Sequence, residues 1–399
     1  MIGAFELYYP VIMSVVWILG TLFFQVWNHF TIQKKRNVNP TVDVVVACYN
    51  EEDAIKEAVA SLEQQTYSNF QIVMVDDKST DNTLQSMQAL QKQYQNVHLI
   101  ALNHNQGKAH ALNVALKQST ADYILCIDAD ATFAPNAITY LVDTITSDPK
   151  IAAVTGRPVI KNVKNMITAL QFLEYITNID FIKRAQSFFT NHLYTVSGVL
   201  ALFDRRALNE INGWSTEALT EDIDATWRLY GQGYYATYQP RAVCYIYAPG
   251  TLHGFLRQRI RWARGGMEVL FKHFHEIPQM NWSNRLLSLD MIASYVWVFL
   301  VSFSAFGLID EYFFQRNLML NLDILITYYA ITLTFYLASR LINFHSKIVH
   351  FPTKILLCLP IFFYAYWLNN IVVTFNGFYH VFDRNKFAAW GNSDRGNGV

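Results

Sequence analysis

Two carboxylates, Asp128 and Asp130, stand one residue apart where the apolar run Tyr123-Ile-Leu-Cys-Ile127 ends. In an extended chain residues i and i+2 point to the same side, so both can face one divalent cation. An acidic turn after a strand is the alternative. Asp77 also follows an apolar run, Ile72-Val-Met-Val75, and can accept hydrogen bonds from an imide or a ribose hydroxyl. The turn behind it leads into a helix that Ser79 or Asp81 can cap. Gly107-Lys108 opens the next helical stretch, offering free N–H groups and a cation to a phosphate. The spacing of a Walker loop is absent, and Lys108 could equally be a surface lysine.

Further along, Thr220-Glu221-Asp222-Ile-Asp224 sits at an expected helix start. Carboxylates there can serve the helix dipole, or Asp222 can take a proton from a hydroxyl held beside it. Gln258, Arg261 and Trp262 share one helix face through i, i+3 and i+4 spacing. They form either a diphosphate clamp with an aromatic platform for a sugar or a basic helix against anionic lipid. Ser197-Gly198 heads an apolar run and can bring backbone close to a ligand.

The elements that must position these residues follow from the texture between 42 and 155. Short β-branched runs alternate with polar helical stretches, which predicts βαβ units and a doubly wound, mostly parallel sheet. Strands are expected near 43–48, 71–76, 97–102, 122–128 and 151–155, with helices near 52–64, 80–94, 107–118 and 135–146. Ligands in such sheets bind outside the carboxyl ends of the strands. Tyr49-Asn50-Glu51, Asp76-Asp77 and Asp128-x-Asp130 all fall there. A helix from Met166 to Phe189 is too polar to span a bilayer, and either lies on the membrane surface or packs into the core.

Composition places part of the chain in membrane. Of 399 residues, 52% are hydrophobic and 15% aromatic, and the mean hydropathy is +0.13, too apolar for an ordinary soluble enzyme. A net charge of zero gives no basic field for nucleic acid. Cys48, Cys126, Cys244 and Cys358 lie far apart, which disfavours a disulfide framework or a zinc site. Residues 8–27, followed by Lys34-Lys35-Arg36, read as a retained anchor with cytoplasmic flank, and 291–309, 324–342 and 355–375 as three more spans. Pro360 and Asn369-Asn370 make the last span a candidate wall of a conduit.

The ordered set Tyr49-Asn50-Glu51, Asp77, Gly107-Lys108, Asp128-x-Asp130, Thr220-Glu221-Asp222 and Gln258-x-x-Arg261-Trp262 resembles the processive family 2 glycosyltransferases, within them the bacterial poly-β-1,6-N-acetylglucosamine synthases. Cys48-Tyr-Asn-Glu51, Ala263-x-Gly-Gly266 and the tail Ser393-Asp-Arg-Gly-Asn397 extend the likeness. The resemblance implies a GT-A domain over 37–250, an anchor over 1–36, an interfacial helix region over 251–285, membrane helices over 286–382 and a tail over 383–399. It implies UDP-N-acetylglucosamine as donor, with Tyr49, Asn50, Glu51, Asp77, Gly107 and Lys108 around it. Asp128 would face ribose and diphosphate, and Asp130 would bind Mg²⁺ or Mn²⁺. Asp222 would be the base, while Glu221, Ser197, Gly198, Gln258, Arg261 and Trp262 would hold the acceptor and the leaving diphosphate. The implied product is a β-1,6-linked exopolysaccharide for biofilm formation. The implied setting is a multi-pass bacterial cell-membrane protein with a cytoplasmic catalytic domain and a small membrane accessory subunit. The family often has proline at the position of Ala47 and glycine at that of Lys78.

Overall fold

The computed structural model describes residues 2–31, 39–310, 322–344 and 349–381. Lys34-Lys35-Arg36 and Ser393–Asn397 lie outside the described residues. The chain begins with helix α1 (Ile2–Thr31) and continues as β1 (Val42–Cys48), α2 (Ile55–Leu62), β2 (Phe70–Asp76), α3 (Thr83–Gln93) and β3 (Val97–Ala101). Next come α4 (Lys108–Gln118), β4 (Tyr123–Asp128), β5 (Thr132–Phe133), α5 (Ala137–Ile145) and β6 (Ile151–Ile160). These strands and helices stand within a few residues of their expected positions, except that β6 runs longer and β5 was not foreseen.

The expected helix over Met166–Phe189 is three segments: α6 (Met166–Glu174), a π-helical turn (Tyr175–Ile179) and α7 (Asp180–Thr190). Its core-packing alternative holds for the middle, where Phe172, Leu173 and Phe181 are buried. Beyond it lie β7 (Leu200–Asp204), α8 (Arg205–Glu210), α9 (Glu221–Gly231), β8 (Tyr235–Ile246) and α10 (Leu252–His273).

Eight strands form one sheet in the order β3-β2-β1-β4-β7-β6-β8-β5. The first four are parallel, whereas β7 runs antiparallel to both β4 and β6, and β5 antiparallel to β8. Strand β6 pairs with β8 in parallel, so four of the seven pairings are parallel and the sheet is mixed. Strand β7 interrupts the parallel run: the chain leaves the end of β6, passes through α6 and α7 and re-enters the sheet at that same end, between β4 and β6. Every residue of β1 is buried, as helices covering both faces require. Ile55, Met87 and Leu141 pack on one face and Leu112, Leu208 and Leu229 on the other.

Three long helices follow among the described residues: α11 (Trp282–Asp310), α12 (Leu322–Ile342) and α13 (Leu359–Val381). Among the described residues, Phe5–Trp27 and Trp282–Ser304 are long and apolar enough to cross a membrane. Helix α13 starts at Leu359 rather than 355, so Pro360 falls in its first turn, where its missing N–H breaks no intrahelical bond. A Cβ on Gly20 of α1 would come within 2.5 Å of the Ala185 Cβ on α7. That glycine lets the first apolar helix lie directly against the α/β domain.

Candidate active site

Parallel register brings the ends of three strands level. Cys48 of β1 pairs with Asp76 of β2, and Ala47 pairs with Asp128 of β4. The loops leaving these ends are stitched to each other. Asn50 accepts the Thr80 N–H through Oδ1 at 2.8 Å, and its own N–H reaches the Ser79 hydroxyl at 3.1 Å. The Glu51 N–H donates to Thr83 Oγ1 at 2.6 Å. Tyr49 lies half-buried beside them. Asn50 and Lys78 both have positive φ, 57° and 61°, so the position where the family often carries glycine is a left-handed one. Asp81 accepts the N–H of Thr83 at 2.9 Å, anchoring the start of α3.

Asp77 is fully buried, and its two oxygens accept the N–H groups of Gln106 at 3.0 Å and Gly107 at 2.7 Å. In this arrangement it shapes the loop that enters α4. Gly107, with φ of 89°, caps that helix without a side chain, and Lys108 is the first helical residue. Asp76, named from the sequence as a strand-end residue but given no role, is 2% exposed and accepts the Ser79 N–H at 3.2 Å.

Lys108 points into the carboxylates, not to the surface. Its Nζ lies 2.5 Å from Asp128 and 3.5 Å from Glu221. Burial opposes its charge, but Asp128, Glu221 and Asp222 outweigh that and hold its pKa above the ordinary lysine value. Asp222 accepts the Gly198 N–H at 3.0 Å through one oxygen and the Ile223 N–H at 2.9 Å through the other. Burial and then the neighbouring Glu221 push its pKa above the usual carboxylate range, against the pull of Lys108 and the two N–H groups. A Cβ on Gly198 would stand 3.4 Å from both Asp222 Oδ2 and Lys108 Nζ, so the Ser197-Gly198 turn closes this cluster. Asp130, two residues past Asp128, is half-buried.

The acidic run at the start of α9 splits by direction. Glu221 and Asp222 face the cluster, whereas Asp224 is fully buried and held by Arg228 and by Lys272 of α10, each at 2.6 Å. Helix α10 approaches closely because Gly265 lacks a side chain: a Cβ there would lie 2.3 Å from the Thr220 side chain. On α10, Gln258 and Trp262 are half-buried and Arg261 is exposed, with no ion-pair partner among the described residues. The Arg259 guanidinium lies over the Trp262 ring, 4.3 Å from its centroid, and pairs with Glu174 at 2.7 Å. One indole face is thus occupied by protein.

Sequence reasoning missed Lys183 of α7. It is 7% exposed, and burial pulls its pKa down to about 8, partly opposed by Asp222. A single lysine inside an amphipathic pattern carries no signal of this until the helix is packed. Among the described residues no group of three or more His, Cys, Asp or Glu comes together as a metal cage.

A family model described as glycosyl transferase family 2 matches residues 43–211. The poly-β-1,6-N-acetyl-D-glucosamine synthase of Staphylococcus aureus (strain MSSA476) is 35% identical over 304 residues, 74% of this chain and 73% of that protein. The chain belongs to glycosyltransferase family 2. The protein of the same name from Staphylococcus epidermidis is 31% identical over 417 residues, covering 98% of each. Among solved structures, a mannosyltransferase from Pyrobaculum calidifontis in complex with GDP-Man and Mn²⁺ is similar in fold, with a TM-score of 0.60 at 21% identity, over 94% of this chain and 99% of that one. The matched family region ends before Asp222 and α10, so the candidate base and the Gln258, Arg261 and Trp262 group lie in the part shared with the synthases.

Proposed function

We propose that this glycosyltransferase polymerises N-acetylglucosamine from UDP-N-acetylglucosamine into a β-1,6-linked chain and passes the product between its membrane helices. The observation that carries the reading is the carboxylate Asp222, oriented by two N–H groups beside the strand-end crevice, in a chain related over most of its length to proteins named for that synthesis.

The raised proton affinity of Asp222 suits a general base. It takes the proton from the acceptor hydroxyl as that oxygen bonds to the anomeric carbon, and UDP leaves with the electron pair of the sugar–phosphate bond. Attack from the face opposite an α-linked diphosphate inverts the carbon, so the new linkage is β. Exposed Arg261 stands to receive the leaving diphosphate. The loops of Tyr49, Asn50, Glu51 and Asp77 form the wall for uridine.

The donor set suits a hard divalent cation. Two ammoniums, Lys108 and Lys183, stand against the three carboxylates Asp128, Glu221 and Asp222, which leaves negative charge uncompensated. Asp128 and Asp130 would hold Mg²⁺ or Mn²⁺, with substrate phosphate and water completing the shell, as such ions prefer. When bound, the metal supplies neutralisation of the diphosphate charge.

For the membrane part, we read α1, α11, α12 and α13 as four spans with the α/β domain on the cytoplasmic side. A cavity of about 390 Å³ between them has aromatic and polar walls, and Ala263, next to Trp262, lines it. That continuity supports a path for the product.

The test is incubation of membranes containing the protein with radiolabelled UDP-N-acetylglucosamine and Mg²⁺, beside Asp222→Asn, followed by digestion with a β-1,6-glucosaminidase. The expected result is a high-mass product, digested by the enzyme and absent from the variant. A product of one added sugar would refute polymerisation, and resistance to digestion would refute the linkage.

A further inference from the structure

The interhelical cavity has a carboxylate on its wall, Asp290 of α11. Among the described residues no cation pairs with it. Two phenols serve it instead: Tyr9 of α1 donates to Oδ1 at 3.1 Å, and Tyr194 donates to Oδ2. An acidic side chain kept among apolar helices without a counter-ion is costly and marks a functional position. Tyr194 belongs to the segment that runs from the cavity to the candidate base. The Tyr194 carbonyl accepts from Trp227 Nε1 at 3.2 Å, on the helix that carries Asp222. The Val196 N–H reaches the Thr226 hydroxyl on that same helix at 3.1 Å, the Ser197 N–H reaches the Thr155 hydroxyl at 3.1 Å, and the Gly198 N–H reaches Asp222 itself. The five residues Tyr194 to Gly198 therefore connect a side chain on the cavity wall to the group that orients the base.

We propose that Asp290 and Tyr194 couple occupancy of this cavity by saccharide to the placement of Asp222. Asp290 accepts hydrogen bonds from the hydroxyls of a sugar ring lying against Tyr295 and Trp297, both of which line the same cavity. Its remaining bond to Tyr194 then holds the 194–198 segment, and with it Gly198, in register with the base. Asp290 is a positioning residue in this scheme, and its effect is to favour further addition when product already fills the cavity. The proposal rests on the polymerising function above.

The experiment compares Tyr194→Phe, Asp290→Asn and the double variant with wild-type protein reconstituted in lipid, measuring UDP release and product length together. Each single variant should shorten the mean product about tenfold, as loss of a hydrogen bond to a charged group implies, with the donor KM unchanged. The double variant should be no worse than either single one, since both break the same link. Fewer chains of wild-type length would mean a merely structural role and overturn the proposal, as would wild-type lengths throughout. Tyr194→Phe removes only a hydroxyl and decides the matter alone if Asp290→Asn does not fold. Absence of any wild-type polymer would instead refute the polymerising function on which the proposal rests.

Discussion

The protein holds two clusters of buried charge that differ in their balance. In the crevice, two ammoniums, Lys108 and Lys183, stand against the three carboxylates of Asp128, Glu221 and Asp222. Where the sheet meets the long helices, the single carboxylate Asp180 meets two guanidiniums, Arg184 at 3.0 Å and Arg157 at 3.1 Å, and the Tyr238 hydroxyl at 2.7 Å. Arg157 also donates to Asn343, just past the end of α12, and Arg184 to Gln25 of α1. This knot joins β6, β8 and α7 to two of the long helices. Burial opposes charge on both aspartates. At Asp180 the two guanidiniums overcome it and hold the pKa below the ordinary value, whereas at Asp222 the neighbouring Glu221 adds to it. A satisfied carboxylate fastens the structure, and an under-compensated one retains the proton affinity that a base needs.

The contrast breaks most sharply by exchanging each carboxylate for its amide. Asp222→Asn should lower turnover by about 10²–10⁴-fold while the thermal midpoint stays near wild type, read by UDP release and by unfolding in detergent. Asp180→Asn should do the reverse in kind. It leaves two buried guanidiniums under-compensated and should cost about 3–5 kcal/mol of stability, read by the same unfolding assay.

The signs of the two pKa shifts give a second test, through pH. Asp180, depressed, contributes stability that is present above its unfolded pKa and lost as pH falls through the folded one. Asp222, raised, binds its proton more tightly folded than unfolded, so its contribution weakens as pH rises through that window. With Asp222 as the proposed base, activity requires its ionised form and should fall on the acid side. Lys108→Met removes the cation that favours the ionised form, so the acid limb of the rate profile should move to higher pH. A limb that moves to lower pH would overturn the assignment of that limb to Asp222.

The smallest effect concerns the loop between β2 and α3. Lys78 has φ of 61°, a conformation costing an L-residue about 1–2 kcal/mol, of which glycine loses part to its greater chain entropy. Lys78→Gly should therefore raise stability by up to about 1 kcal/mol, seen as a higher thermal midpoint at unchanged turnover.

Much of the α/β domain was legible because its signals are local. β-branched runs ending in Asp or Asn mark β1, β2 and β4, and parallel pairing then sets their ends level. Strand β7 was read only as an apolar run behind Gly198, since neither its pairing partners nor its direction leaves a trace in a five-residue segment. Asp77 and Lys108 were found as polar residues at the right places. That Asp77 grips the backbone of Gln106 and Gly107, and that Lys108 turns inward to Asp128, depends on contacts 20 to 30 positions apart.

The sequence alone determined which residues could do chemistry, the order of strands and helices around them, and the apolar helices at either end, because side-chain type and periodicity are properties of neighbours along the chain. The tertiary structure decided the balance of charge. It separated Asp224 from Asp222, compensated Asp180, left Asp222 under-compensated and set Tyr194 between Asp290 and the segment whose Gly198 N–H reaches Asp222. Burial and electrostatic coupling depend on distance in space, and the chain sets that distance only once it has folded.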